Sequence, residues 1–188
     1  MLNIGIYSSS MQQGKTTIAN YIVNECNYSI VTFARPMKDM ITVLLESLGY
    51  DDTMVRRMLY GDLKEWTIPE LSTESHEVTC RLLLVTLGSK WGREMINQDM
   101  WINMATSKLD KNSKYVCEDV RLFNEAECLR RNGFKIIRVI NPRIPLVDSI
   151  SEGKLDNYPF DYTIMNDGSV DDLYSRIHIM LTYLENTK

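Results

Sequence analysis

The sequence predicts a three-layer α/β fold: a parallel sheet of about five strands, helices on both of its faces, and a short lid. Short runs rich in β-branched residues alternate with longer stretches of helical periodicity. That alternation is the pattern of parallel strands joined by crossover helices. The first apolar run leads directly into a glycine–lysine turn that opens a helix. The length, 188 residues, suits one domain.

Leu2–Tyr7 reads as the first strand. Lys15–Cys26 follows as a helix, with Ile18, Tyr21, Ile22 and Cys26 on one side at helical spacing. Ser29–Phe33 reads as the second strand and Pro36–Leu48 as the second helix, with Met40, Val43, Leu44 and Leu48 as its apolar stripe. The stretch from Gly49 to Glu77 is the least regular, with two short helical pieces and an exposed loop. Val78–Met95 and Trp101–Leu109 are two further helices. Lys114–Cys117 is a strand running into Glu118-Asp119. Asn124–Arg131 is a helix that Gly133 ends. Phe134–Ile140 is the most strand-like run of all. Asn141–Asn157 carries Pro142, Pro145 and Gly153 and reads as a long loop or small lid. Tyr162–Met165 is the last strand. Asn166-Asp167-Gly168-Ser169 then caps a final helix whose apolar face is Val170, Leu173, Ile177, Met180, Leu181 and Leu184.

Apolar residues make up 44% and charged residues 24%, which excludes wholesale disorder. With 21 basic and 25 acidic residues the formal net charge is −4, a poor balance for stable nucleic-acid binding, though a local basic pocket is compatible with it. Cys26, Cys80, Cys117 and Cys128 form no Cys-x-x-Cys pair, and His76 and His178 are the only histidines, so no structural zinc site is expected. Cys117 and Cys128 read as small buried residues. The start, Met1-Leu2-Asn3-Ile4, lacks the basic, long-apolar character of a signal peptide. No apolar run approaches the ~18 residues of a membrane span. The expectation is a soluble, cytoplasmic protein without membrane contact.

The sharpest chemical signal is Ser8-Ser9-Ser10-Met11-Gln12-Gln13-Gly14-Lys15-Thr16-Thr17. It follows a strand and opens a helix, the context that a phosphate-binding loop demands. Backbone N–H groups at a helix N-terminus form a concavity that attracts phosphate oxygens. Gly14 allows close backbone approach, the Lys15 ammonium would reach the β- and γ-phosphates, and the Thr16 hydroxyl would ligate Mg²⁺. Ser9 stands where the pattern G-x-x-x-x-G-K-[ST] has its first glycine, a cost if that position needs an unusual backbone angle.

Tyr115-Val116-Cys117-Glu118-Asp119-Val120-Arg121 is the second signal. An apolar strand ending in an acid suits a carboxylate that holds a metal-bound water or orients the attacking oxygen, here Asp119. Arg121 can clamp a phosphate bidentately. The plainer reading is a helix-capping aspartate beside a surface arginine. Arg35, Lys38, Arg81, Arg93, Arg138 and Arg143 are scattered cations of the kind that offset several phosphates in one crevice. Arg138 lies inside a strand and is equally compatible with a side chain turned to the helix layer. Ligands of parallel sheets sit at the C-terminal strand ends, which is expected to collect Ser8–Thr17, Ala34–Lys38, Asp119–Arg121 and Asn141–Arg143 around one crevice. Trp91 reads as packing, and Trp66, in the irregular segment, as the better ligand contact.

Beyond these motifs, the chain resembles the phage-type deoxynucleoside monophosphate kinases of the P-loop nucleoside monophosphate kinase group. The resemblance rests on Gly14-Lys15-Thr16-Thr17, on Phe33-Ala34-Arg35-Pro36-Met37-Lys38, and on the run from Arg81 through Leu87-Gly88 to Gly92-Arg93 with Asp99-Met100-Trp101 after it. It continues in Asp119-Val120-Arg121-Leu122-Phe123-Asn124-Glu125-Ala126, Asp148-Ser149-Ile150-Ser151-Glu152 and Asn166-Asp167-Gly168-Ser169. The resemblance implies a P-loop kinase fold and transfer of the ATP γ-phosphoryl group to a deoxynucleoside monophosphate. It implies that Ser10, Met11, Gln12, Gln13, Gly14, Lys15, Thr16 and Thr17 take ATP and Mg²⁺. Arg35, Lys38, Arg81, Arg93, Asp119, Arg121 and Glu125 would line the acceptor side, joined by Trp66 on the reading of its irregular segment, with an acceptor-binding helical region at about 36–110. Asn166 and Gly168 would edge the adenine site, and Arg143 would belong to a lid at about 141–157. Lys15, Asp119, Arg121 and Arg143 are the expected catalytic groups. The resemblance also implies a homodimer, in the host cytoplasm if phage-encoded. Val85 and Lys90 stand where the family tends to have a glutamine and an acid, which bears on the choice of acceptor.

Two kinase readings with other acceptors share the architecture: a modified base in DNA, and phosphomevalonate. A GTPase-like switch lacks its signatures, since none of the nine glycines has an aspartate three residues before it and no Asn-Lys-x-Asp occurs. An inactive nucleotide-binding module is the non-enzyme alternative.

Overall fold

Among the described residues, five strands form one parallel sheet in the order β2-β3-β1-β4-β5. They are β1 (Asn3–Tyr7), β2 (Ser29–Val31), β3 (Tyr115–Val120), β4 (Phe134–Ile140) and β5 (Tyr162–Met165). The structure is a computed structural model, and it describes residues 1–145 and 155–187. The chain divides into two units, Met1–Thr32 with Thr106–Lys188, and Phe33–Ala105.

The first unit carries the sheet. Helices α1 (Lys15–Cys26) and α7 (Val170–Asn186) cover one face, where Ile18, Ile22, Leu173, Ile177, Met180 and Leu184 pack on Ile4, Ile6, Val116, Ile137 and Val139. Helix α6 (Phe123–Arg131) covers the other, and Gly5 makes room for it: a Cβ there would stand 2.8 Å from Ile136 Cδ1 and 3.1 Å from Leu129 Cδ1. Both faces are thus roofed, as the near-continuous apolar strands require. The final helix keeps its expected apolar face except at Val170, which is exposed in its first turn.

The third strand does not stop at Cys117; it runs to Val120. It pairs with β1 through Ile4–Val116 and Gly5–Cys117, then Tyr7–Val120. Two residues of β3, Glu118 and Asp119, therefore face the single Ile6 of β1. A bulge of this kind kinks a strand and re-aims a side chain.

The second unit is helical: α2 (Arg35–Ser47), α3 (Asp52–Tyr60), a 3₁₀ turn at Pro69–Leu71, α4 (Cys80–Val85), a π-helical segment (Thr86–Ile96) and the start of α5 (Met100–Thr106). Its core gathers Ile41, Leu45, Val55, Met58, Leu59, Ile68 and Cys80. Two expectations are corrected here. The stripe of α2 is Ile41, Leu45 and Leu48, while Met40, Val43 and Leu44 are exposed. This helix is apolar on two sides, and periodicity alone does not say which side the core takes.

The single helix expected over Val78–Met95 is instead α4 followed by π-helix. Trp101 accounts for the change. Fully buried, it donates its indole N–H to the Gly88 carbonyl at 2.9 Å and lies flush against Gly92. The looser i→i+5 turn brings two glycines four apart against one indole. Trp91, expected as packing, is 37% exposed and tilts over Trp101.

Candidate active site

The loop between β1 and α1 opens on three buried serines, Ser8, Ser9 and Ser10, and buries Gln13 as well. Gly14 is left-handed at φ 107° and caps α1, and Gln12 is left-handed at φ 62°. Ser9 has no positive φ, so the missing first glycine costs no backbone strain. Lys15 donates from Nζ to Ser8 Oγ at 2.7 Å, and Ser8 Oγ donates to the Ser10 carbonyl at 2.7 Å. The ammonium is thereby folded back over the loop. Thr16 and Thr17 are exposed in the first turn of α1, and Met11 is exposed at the loop's tip.

Two strand ends grip this loop. After β4, the Asn141 backbone N–H donates to Gln13 Oε1 at 2.6 Å. After β5, Asn166 Nδ2 donates to the Gln13 carbonyl at 2.9 Å. Gly168 follows in the turn capped by Ser169, whose hydroxyl accepts from the Asp172 backbone N–H at 3.1 Å. Arg143 is exposed; its guanidinium donates to the Asp167 carbonyl and its backbone N–H to Asn141 Oδ1 at 3.0 Å. The structure therefore joins Arg143 to the Asn166–Gly168 turn. Residues 146–154, including Asp148-Ser149-Ile150-Ser151-Glu152 and most of the expected lid, lie outside the described residues.

Asp119 sits in the bulge of β3, half-buried. Cys117 Sγ donates to its Oδ1 at 3.1 Å. Burial, then the charge of Asp119, push the Cys117 thiol well above its ordinary value, so it stays a protonated donor. Arg121 is exposed beyond the strand end. Glu125, 2% exposed, accepts from the Arg121 and Leu122 backbone N–H groups at 2.8 and 2.9 Å through Oε2. It thus ties α6 back to its N-cap residue and the residue before it, and fixes the backbone that carries Arg121.

Arg35, Lys38, Trp66, Arg81 and Arg93 belong to the second unit. Arg35 pairs with Asp39 at 2.8 Å and Arg81 with Glu65 at 3.2 Å, both on the surface. Lys38 lies over the Tyr60 ring at 3.9 Å. Trp66 meets Tyr50 edge-on and packs on the core of its unit. Arg93 is half-buried in the π-helical segment.

Reading residues singly missed the grouping of Ser9, Arg138 and Asp156. Arg138 Nη2 donates to Ser9 Oγ at 3.0 Å and to Asp156 Oδ1 at 3.1 Å. A charged residue alternating with apolar ones inside a strand was its one signal, and only the register of β4 against β1, Tyr7 opposite Arg138, turns it toward the loop.

A parallel sheet whose central strand runs into a glycine–lysine loop at a helix N-terminus defines a nucleotide-binding fold of the kinase kind. Known proteins agree. The family model described as deoxynucleotide monophosphate kinase matches residues 63–177, and the chain belongs to that family. The chain is accordingly a phosphotransferase that takes small nucleotide substrates. Among solved structures, dephospho-CoA kinase from Campylobacter jejuni overlays with a TM-score of 0.51 at 18% identity, covering 98% of each chain, a likeness of fold. A candidate kinase from Chloroflexus aurantiacus gives a TM-score of 0.46 at 12% identity over 99% of this chain and 97% of that one. No curated protein matches the chain. Among the described residues no helix is long and apolar enough to cross a membrane.

Proposed function

We propose that the donor is ATP with Mg²⁺, bound on the loop from Ser8 to Thr17, and that the second unit binds the deoxynucleoside monophosphate. The observation that carries the donor assignment is the fold-back of Lys15 onto Ser8 beneath a left-handed Gly14 at the start of α1. A phosphate tail would take the ammonium from Ser8 Oγ, exchanging a neutral acceptor for an anionic one.

The donor set fits a metal that arrives with the nucleotide. Among the described residues no three acidic, histidine or cysteine side chains gather to hold an ion. Thr16, through its hydroxyl, and Asp119 are the residues that would hold Mg²⁺ together with phosphate oxygens and water. When bound, the ion neutralises charge on the β- and γ-phosphates. The remaining work falls to the chain: Lys15 holds the transferring group, Asp119 orients the attacking oxygen, and Arg121 clamps the acceptor phosphate. Arg35, Lys38, Trp66, Arg81, Arg93 and Glu125 bind or support the acceptor. Asn166 and Gly168 edge the donor's base, with Arg143 held beside them by its bond to the Asp167 carbonyl. The working form is a homodimer in the cytoplasm.

An ATP-coupled assay across dAMP, dGMP, dCMP, dTMP, dUMP and 5-hydroxymethylated pyrimidine monophosphates tests the acceptor. Lys15→Ala tests the loop: turnover falls by orders of magnitude with the thermal midpoint retained. Near-normal transfer by that variant refutes the donor assignment.

A further inference from the structure

Behind the phosphate loop, one carboxylate oxygen collects three donors. Asp156 Oδ1 accepts from Ser9 Oγ at 2.7 Å, Tyr7 Oη at 2.9 Å and Arg138 Nη2 at 3.1 Å. Arg138 also donates from Nη2 to Ser9 Oγ at 3.0 Å and from Nη1 to the Asp156 carbonyl at 3.3 Å. Ser9 is 5% exposed and Tyr7 1%. A hydroxyl can donate once and accept as well. Ser9 does both, giving its proton to Asp156 and a lone pair to Arg138.

This arrangement explains what serine does at a position where the motif carries glycine. The backbone there needs no glycine, and the side chain makes a tie that glycine cannot make. Gln13 is tied at the other end of the loop, through Asn141 and Asn166. A loop pinned at both ends spends less conformational freedom when phosphate binds. The Asp156 charge, which would repel an anion if bare, is answered by Arg138 and by two hydroxyl donors.

We propose that Asp156 is a positioning residue of the phosphate loop, acting through Ser9 to hold the loop's first turn in the shape that receives the donor's phosphates. This rests on the reading of Ser8–Thr17 as the donor site. The simpler role, in which Asp156 only balances Arg138, makes a different prediction: stability falls and nucleotide affinity does not.

Calorimetric titration with ATP, steady-state kinetics with each substrate varied, and thermal unfolding separate the two, using Ser9→Ala, Ser9→Thr, Asp156→Asn and Lys15→Ala. The expected result is an ATP Kd about tenfold weaker in Ser9→Ala, and a smaller weakening in Asp156→Asn, whose amide oxygen still accepts from Ser9 but no longer as a charged group. The acceptor KM stays within about twofold, because an interaction specific to the donor leaves it alone. Ser9→Thr keeps the hydroxyl and recovers most of the affinity. A chain carrying both Ser9→Ala and Asp156→Asn is no weaker than the weaker single, as two residues acting through one contact require. If Asp156→Asn fails to fold, Ser9→Ala, which removes one oxygen, decides. An unchanged ATP Kd in Ser9→Ala and Asp156→Asn, beside a weakened one in Lys15→Ala, overturns the proposal and leaves the donor site standing. An unchanged Kd in Lys15→Ala overturns both.

Discussion

The side-chain amide of Asn166 lies against Gly14: its Nδ2 stands 2.5 Å from where a Cβ on that glycine would be. The same nitrogen donates to the Gln13 carbonyl at 2.9 Å. The turn after the last strand thus closes on the loop between β1 and α1 at the residue that caps α1.

Gly14→Ala is therefore strained twice. A left-handed alanine costs about 1–2 kcal/mol, and the new methyl displaces the Asn166 amide. The thermal midpoint falls and ATP affinity drops with it. Asn166→Ala in the same chain removes the collision and leaves the backbone strain. Unfolding of the double variant is expected to recover part of the loss, which a thermodynamic cycle over the four proteins reads directly. Strict additivity would show that the two residues do not press on one another.

Glu125 supports Arg121 from below. Its buried carboxylate accepts both backbone N–H groups that open α6. Glu125→Ala leaves them unpaired and is expected to cost about 2 kcal/mol in urea unfolding. Glu125→Gln keeps an acceptor oxygen and costs less. If the acceptor KM rises in Glu125→Gln while stability holds, the carboxylate touches the substrate as well as the helix.

Gly92 has no space for a side chain. A Cβ there would stand 2.6 Å from both Cε2 and Cζ2 of Trp101, which is fully buried. The indole has little room to retreat without losing its bond to the Gly88 carbonyl. Gly92→Ala is expected to destabilise the second unit by about 1–3 kcal/mol and to shift Trp101 fluorescence toward the red. A stable variant with native fluorescence would mean the π-helical turn yields instead.

Local patterning carried most of the first unit. The boundaries of α1, β4 and β5 coincide with the apolar periods because a glycine, a strand of β-branched residues or a polar turn marks each end. The glycine–lysine turn between β1 and α1 was legible for the same reason, since its residues are contiguous. Three features were not. The core side of α2 depends on what packs against it, and Met40-Val43-Leu44 is as periodic as Ile41-Leu45-Leu48. The π-helical turn answers to Trp101, a residue in another helix. The Ser9–Asp156–Arg138 cluster joins positions separated by 147 and 18 residues; strand register brings Arg138 to the loop after β1, and Asp156 comes from the connection between β4 and β5.

Ser169 and Asp172 cap the last helix reciprocally, and their bond has a pH signature. The Ser169 backbone N–H and hydroxyl donate to Asp172 Oδ2 at 2.9 and 2.8 Å. The backbone bond first, then the hydroxyl, hold the Asp172 carboxyl below its ordinary value. A carboxylate with a depressed folded pKa binds fewer protons folded than unfolded as the solution is acidified. Its stabilisation is present above the unfolded pKa of about 3.9 and is lost as pH falls through the folded pKa. Asp172→Asn mimics the protonated state. The gap in thermal midpoint between wild type and Asp172→Asn is expected to be widest near neutrality. It should close as the solution is acidified below the ordinary carboxylate range and through the lowered folded pKa. Because the pair is exposed the gap is small, and added salt narrows its charge-dipole part at the helix N-terminus. A gap of equal size at neutral and acid pH would assign the effect to shape alone.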